Sequence, residues 1–140
     1  MRILTFTLIA FACLLQGCMT TYVSLHRPER ILVPQINPNL DSVRLAILKG
    51  ASRQGWTVVN ETDNSIVVSN KAYRSTRYPI IAIDYSLYAV DFHYASSYNL
   101  SYRYITDEKQ LVRRDYNKIV NGLVQSINHE VSSLRDRDQF

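Results

Sequence analysis

The residues best suited to acid–base chemistry are Asp91 and His93, two positions apart in a stretch typical of a β-strand. Residues two apart on a strand share a face, and a predicted hairpin brings Asp84 diagonally close to Asp91. A carboxylate that orients an imidazole can act as a general base, and Ser97 and Ser101 have the matching parity. An antiparallel sheet covered on one side, however, normally shows polar residues to water on the other. We therefore treat Asp84, Asp91 and His93 as a weak polar cluster and expect no catalytic residue.

The histidines give no metal-binding pattern. His26, His93 and His129 share no ligand spacing, and the position after His129 and Glu130 where a zinc-protease helix needs its second histidine holds Ser133. The four glycines are scattered, so no glycine-rich phosphate loop is present. We expect neither a metal site nor a cofactor.

The most specific motif of the chain lies at its N-terminus. After Arg2, the apolar run over residues 3–15 is too short for a membrane span, which needs about 20 apolar residues, and it fits an export signal. The run closes with a motif that looks like a bacterial lipobox, formed by Leu15, Gln16, Gly17 and Cys18. Residues 1–17 are then a lipoprotein signal peptide. Ordinary cleavage near residues 10–12 is the alternative.

The lipobox implies that Cys18 carries covalent lipid, a diacylglycerol on the thiol and an acyl chain on the new amine. Two or more acyl chains hold a protein firmly in a bilayer, so the membrane is an expected partner. The residue after the cysteine is Met19 and not aspartate. In lipoproteins of two-membrane bacteria this implies the periplasmic face of the outer membrane. If the host has one membrane, the lipidated protein is expected on the outer leaflet of the plasma membrane. Cys13 is lost with the signal, which leaves no thiol for a disulfide or for catalysis.

The formal net charge is +4, with a pI of about 9.2. This mild excess is typical of an ordinary soluble surface, or of weak attraction to anionic lipid headgroups and other acidic envelope polymers. Nucleic acid is not an expected partner outside the cytoplasm.

The mature chain is long enough for one domain with one core. Residues 18–36 contain Pro28 and Pro34 and show no helical period, which predicts an extended tether that could reach roughly 65 Å. Alternatively, residues 31–33 pin the end of the tether to a sheet edge. Residues 37–140 are predicted to form a single α+β domain.

The domain is predicted to open with an amphipathic helix that Asn37 caps, that has Pro38 in its first turn and that stops at Gly55. Two β-rich runs, at residues 56–59 and 66–68, flank a turn-rich cluster and predict a hairpin. Trp56 is expected to fill the core between helix and sheet.

The aromatic stretch over residues 80–104 changes parity once. Its apolar residues fall on odd numbers up to Tyr85 and on even numbers from Tyr88 onward. Such a change predicts a hairpin with an even loop, either by pairing Tyr85 with Tyr88 or through a four-residue loop. The even series then continues to Tyr104, so the strand either bends at a bulge near residues 96–97 or enters another hairpin. We expect the even-numbered aromatic residues to lie in the core.

The last helix is predicted over residues 107–134, with Asp107 and Gln110 as a capping box and an apolar stripe from Tyr116 to Leu134. The chain is thus predicted to be an α+β protein. An antiparallel sheet of four or five strands carries an N-terminal and a long C-terminal helix on one face, in the order α-β-β-β-β-α.

This order resembles that of a family of small bacterial lipoproteins, as do the positions of Trp56, Asn99, Leu100 and Tyr116. The resemblance implies a helix, antiparallel strands and a helix over residues 37–131, and it brings no catalytic residue.

One segment without apolar period combines arginine and tyrosine, a mixture typical of interfaces. This candidate interface consists of Lys71, Tyr73, Arg74, Arg77 and Tyr78. The leading hypothesis is a non-enzymatic outer-membrane lipoprotein that binds another envelope component, foremost a protein. The alternatives are a module that binds peptidoglycan or another glycan, an immunity protein, and an envelope hydrolase.

Overall fold

The computed structural model describes residues 21–34, 39–71 and 76–137. Within these ranges the chain forms two antiparallel sheets and three helices, so the predicted α+β class is confirmed. The strands are β1 (Tyr22–Ser24), β2 (Ile31–Leu32), β3 (Thr57–Glu61), β4 (Ser65–Ser69), β5 (Tyr78–Tyr85), β6 (Ala89–Tyr98), β7 (Arg103–Tyr104) and β8 (Gln110–Arg113). The helices are α1 (Leu40–Arg53), α2 (Arg114–Ser132) and α3 (Leu134–Arg137).

The larger sheet has the strand order β2-β6-β5-β4-β3, and one face of it carries α1 and α2. The inward residues of β4, β5 and β6 form one core with the apolar stripes of the two helices, as the sequence predicts. The helices are in close contact at Gly50, whose carbonyl oxygen accepts a hydrogen bond of 2.8 Å from the Ser126 hydroxyl. A Cβ at Gly50 would lie 2.7 Å from the Ile127 Cα. The small residue therefore sets the helix spacing.

The first helix begins at Leu40, because the side chain of Asn39 accepts a hydrogen bond from the Asp41 backbone N–H and caps it. The predicted cap, Asn37 with Pro38, lies outside the described residues. The helix ends at Arg53, and Gly55 follows with a φ of 73°, a conformation that glycine adopts without strain. Trp56 is buried, which confirms its predicted place in the core.

The two central hairpins are confirmed, with a correction to the register of the second. Tyr85 pairs with Val90 across a four-residue loop, so the alternative with that loop is right and the pairing of Tyr85 with Tyr88 is wrong. The Ser86 hydroxyl accepts hydrogen bonds of 3.1 Å from the N–H groups of Tyr88 and Ala89, which stabilises the longer turn.

The predicted irregularity late in β6 is a bulge. Ile80 pairs with Ser96 while Ile81 pairs with Tyr94, so the residue between these partners has none on β5. The expectation that the even-numbered aromatic residues lie in the core is confirmed for Phe92, and Tyr94 and Tyr102 are partly buried against the core. It is wrong for Tyr88, which is exposed in its turn, and for Tyr98 and Tyr104, which lie at and beyond the end of β6 and are mostly exposed.

The smaller sheet, in the order β1-β8-β7, was not predicted, and it corrects the start of the last helix. Helix α2 begins at Arg114, and residues 107–109 belong to the turn before β8, where the side-chain amide of Gln110 donates to the Asp107 carbonyl oxygen at 3.3 Å. The predicted capping box is therefore wrong. Val112 is fully buried, so residues 110–113 gain more by adding a strand to the core than by extending the helix.

The described part of the predicted tether is folded. Strand β1 pairs with β8, and β2 pairs with β6 at the edge of the larger sheet. Ile31 and Val33 are buried, which confirms the alternative in which these residues pin the chain to a sheet edge. The extended tether of residues 18–36, with its reach of roughly 65 Å, is therefore wrong over residues 22–34.

Candidate binding site

The edge of β6 is only partly covered. Strand β2 pairs with β6 at Ala89 and Val90, and the Val33 N–H donates to the Tyr88 carbonyl oxygen at 2.9 Å. Backbone groups of alternate residues face the same edge of an antiparallel strand, so those of Phe92 and Tyr94 also face this side. No strand of the described ranges continues the ladder there.

A cleft of about 450 Å³ lies beside this edge. Residues 25–28 diverge from β6 before β2 begins, and they form one wall of the cleft while β6 forms the other. Aromatic side chains and polar groups together line it, a composition that suits ligand recognition. The lining includes His26, Arg27, Asp91, His93, Tyr94 and Tyr102.

The aromatic part of the cleft is a stack of tyrosines. The rings of Tyr94 and Tyr102 lie 4.3 Å apart and nearly parallel, and Tyr116 meets Tyr94 at a tilt with a centroid distance of 5.8 Å. Burial raises the pKa of Tyr116 far above its usual value. Burial also raises the pKa of Tyr94, against a smaller lowering by the hydrogen bond of 3.0 Å to the Ser97 hydroxyl. Both phenols therefore stay neutral across the physiological range.

Two members of the weak polar cluster, Asp91 and His93, line this cleft, and the structure brings Asp84 next to them. Asp84 lies directly opposite Asp91, not diagonally, and the His93 Nε2 is 3.3 Å from the Asp84 Oδ2. The Arg30 Nε donates to the Asp91 Oδ1 at 2.8 Å. Two like charges placed opposite each other on neighbouring strands repel, and each carboxylate here has a basic partner. The ion pair of Arg30 with Asp91 and the contact of His93 with Asp84 account for the cluster.

The side chains of His93, Asp84 and Ser97 do not form a catalytic triad. The hydroxyl of Ser97 bonds to the Tyr94 phenol and not to the imidazole. The side chains of His93 and Asp84 are 58% and 52% exposed, so no low-dielectric environment strengthens their interaction.

The predicted interface around residues 71–78 is described only in part. Tyr73 and Arg74 lie outside the described residues, as do Leu15, Gln16, Gly17 and Cys18 of the lipobox. The Lys71 N–H donates to the Ser69 hydroxyl at 3.2 Å. Arg77 lies 3.8 Å from the carboxylate of Asp115. Tyr78 belongs to β5 and stacks on Tyr98 at 5.4 Å, so it is part of the sheet and not of a loop.

Sequence reasoning missed the wall of the cleft formed by residues 25–28. The sequence predicts that His26 and Arg27 belong to the tether, because Pro28 and the absence of a helical period indicate no helix or strand there. The one usable signal was the apolar run at residues 31–33, which anchors the chain nearby.

The described residues contain no group of three or more His, Cys, Asp or Glu side chains arranged to hold a metal ion. Nor does any helix in that part of the chain combine the length and apolarity that a bilayer crossing needs. Comparisons with protein-family models, with curated proteins and with solved structures found no match to this chain.

Proposed function

We propose that this chain is a lipid-anchored, non-enzymatic protein of the bacterial envelope, and that its body binds an extended segment of another envelope protein along the open edge of β6. The anchor part of the proposal is supported by the motif from Leu15 to Cys18 after a short apolar run. Met19 after the cysteine favours the periplasmic face of the outer membrane.

The observation that carries the binding part is the edge of β6 beside the cleft, which no strand of the described residues covers beyond Val90. Unpaired backbone groups at a sheet edge form a template for another strand, and peptide-binding domains use such edges for affinity and adjacent pockets for specificity. Here the backbone groups of Phe92 and Tyr94 supply the edge. The cleft wall at residues 25–28 limits what can enter, so the site fits one extended segment.

Binding is a better account of the cleft than catalysis. The exposed pair of Asp84 and His93, and the engaged hydroxyl of Ser97, give no activated nucleophile. Tyrosine, histidine and arginine side chains around an open edge are instead typical of recognition surfaces.

Site-specific photo-crosslinking in intact cells tests this proposal. A photoreactive amino acid replaces Arg27, which lines the cleft, and in a control protein it replaces Asn128, an exposed residue of α2. We expect one discrete adduct from position 27, in which mass spectrometry finds the same short peptide of a partner, and no such adduct from position 128. Equal labelling from both positions, or none from position 27, would contradict the proposal.

A second candidate function is glycan binding, because the stacked rings of Tyr94 and Tyr102 offer an apolar plane next to the polar groups of Asp91 and Arg27. If the cleft binds peptidoglycan, a soluble chain of residues 19–140 sediments with purified sacculi. Replacing Tyr102 by Ala then releases it, whereas Tyr104→Ala, at an exposed position, does not. Sedimentation no greater than that of an unrelated protein would exclude this function.

A further inference from the structure

Four basic residues surround the N-terminal strand β1, and we call them the basic collar: Arg103, Arg113, Arg114 and Lys118. On one face of the smaller sheet, Arg113 lies opposite Tyr22, and the guanidinium of Arg103 sits 4.3 Å from the centroid of the Tyr22 ring. On the other side of the strand, Arg114 and Lys118 line a shallow depression together with Val23. Because β1 is an edge strand, a flat surface that meets it can reach both sides.

Among the described residues, few negative charges lie near the basic collar to neutralise its positive charge. Asp115 is the acidic residue nearest to it in sequence, and the Asp115 carboxylate is itself 3.8 Å from Arg77. The rest of the depression beside β1 is lined by uncharged amides, those of Asn117, Asn121 and Gln125. Helix α2 also begins here without a side-chain cap, and its N-terminus adds partial positive charge, which Asp115 in the first turn offsets in part. The region therefore attracts anions.

The length of chain before β1 decides which anionic surface the collar meets. Cys18 and Tyr22 are four residues apart in the sequence, and four residues span about 14 Å at most. A lipid on Cys18 would thus keep β1 close to the headgroups. At physiological ionic strength, charges interact over a Debye length of about 8 Å, so the collar would lie within or near the range of an anionic leaflet.

We propose that the basic collar docks the folded body on an anionic phospholipid surface, so that the body lies against the membrane next to its anchor. This inference rests on the proposed lipid anchor at Cys18. The folded body would then lie against the membrane and not at the end of a long tether. The proposal also gives a role to the basic collar, whose residues do not line the cleft.

A vesicle-binding experiment with the unlipidated chain of residues 19–140 tests the collar separately from the anchor. In the described part of the chain the buried core residues lie between Ile31 and Val131, and the residues that pack against them lie between Val23 and Leu134. The chain of residues 19–140 contains all of them, and circular dichroism verifies its fold. We expect it to sediment with phosphatidylglycerol-containing vesicles more than with pure phosphatidylcholine vesicles, and added salt should weaken this binding. Equal binding to both vesicles would overturn the proposal.

Two matched double variants separate the collar from net charge. Each basic residue near an anionic surface strengthens binding about fivefold, so Arg114→Glu with Lys118→Glu should weaken it about 25-fold or more. Lys71→Glu with Arg135→Glu changes the net charge equally, at exposed positions outside the collar, and should have a much smaller effect. Equal losses in both variants would show that net charge alone acts, and would refute the collar.

The lipidated protein provides the second readout. Reconstituted in phosphatidylglycerol-containing vesicles, it should show slower acetylation of Lys118 than in phosphatidylcholine vesicles, while the acetylation of Lys71 stays the same. If Cys18 proves to be unmodified in cells, the anchor fails although the collar can still bind vesicles. If Cys18 is acylated but Lys118 is not protected, the collar alone fails.

Discussion

The side-chain amide of Asn117 holds the carbonyl oxygen of Ser24, to which its Nδ2 donates at 2.9 Å. The same amide accepts a hydrogen bond of 2.9 Å from the backbone N–H of His26 through its Oδ1. One side chain of α2 thus satisfies a backbone acceptor and a backbone donor of the N-terminal segment, much as a neighbouring strand would. This contact fixes the wall of the cleft and keeps residues 22–26 part of the folded body.

Replacing Asn117 by Ala should loosen the N-terminal segment. The exposed carbonyl of Ser24 and the partly buried N–H of His26 lose their partner, so we expect the free energy of unfolding to fall by about 1–2 kcal/mol. Hydrogen exchange should accelerate over residues 22–26 more than over β5. Asn121→Ala, an exposed position on the same helix, is the control. An unchanged exchange rate in residues 22–26 would show that Asn117 does not hold them.

The two helical glycines should respond to alanine in opposite directions. A Cβ at Gly50 meets the Ile127 backbone, with distances of 2.7 Å to Cα and 2.9 Å to N, so Gly50→Ala should destabilise the protein by about 1–3 kcal/mol. At Gly122 the nearest atom is the mobile Gln54 Oε1 at 3.4 Å, so Gly122→Ala should stabilise by about 0.5–1 kcal/mol through helix propensity. Urea unfolding of both variants measures these changes, and effects of the same sign would contradict the packing described here.

The parts of the fold that the sequence predicted depend on local alternation. Apolar residues that alternate with period two predicted the hairpin of β5 and β6. Apolar residues spaced three and four apart predicted the buried face of α2. The same parity brought Asp84, Asp91 and His93 to one face of the sheet. These patterns need only neighbouring residues, and the structure confirms the hairpins and the buried helix face.

The parts that were missed depend on distant pairing. Strands β1 and β8 have three and four residues, too few for a visible alternation. Their contact is reinforced by His26 and Asn117, which are 91 residues apart in the sequence. Local propensity cannot identify such partners. The cleft was therefore not predictable, because one of its walls belongs to this segment.

Glu130 should make the stability of the fold depend on pH in the acidic range. This carboxylate is 1% exposed, contacts Arg53 and lies 2.9 Å from the Lys49 Nζ. The hydrogen bond from Lys49, followed by the charges of both cations, holds the pKa of Glu130 below its usual 4.5 despite the opposing effect of burial. A carboxyl group with a lowered pKa in the folded state stabilises above its unfolded pKa, and this contribution is lost as the pH falls through the folded value.

Urea unfolding of Glu130→Gln tests this assignment. Because Lys49 and Arg53 remain half exposed, losing the carboxylate leaves no buried charge, and we expect a loss of about 1–2 kcal/mol at neutral pH. The difference from the unmodified protein should shrink as the pH falls below 4.5. Glu108→Gln, at an exposed position in the turn before β8, is the control. A difference that is constant with pH would contradict the role of the ionised carboxylate.

Tyr116 should limit stability in alkali. The side chain is 1% exposed, and burial raises its pKa far above the usual 10, so the folded state keeps the phenol neutral while the unfolded state ionises. The stabilisation is complete below pH 10 and declines as the pH rises above it. Tyr116→Phe should lessen this decline, whereas Tyr88→Phe, at an exposed position, serves as the control for losing one phenol. Unfolding curves measured across alkaline pH test this, and parallel curves for Tyr116→Phe and the unmodified protein would contradict it.

Intact mass spectrometry of the protein purified from its native membrane tests the anchor most directly. We predict a polypeptide that begins at Cys18 and carries a diacylglycerol thioether and an N-acyl chain. A chain that begins at Cys13, or one that begins at Cys18 without fatty acyl groups, would contradict the proposed lipid-anchored location in the envelope and the function that depends on it.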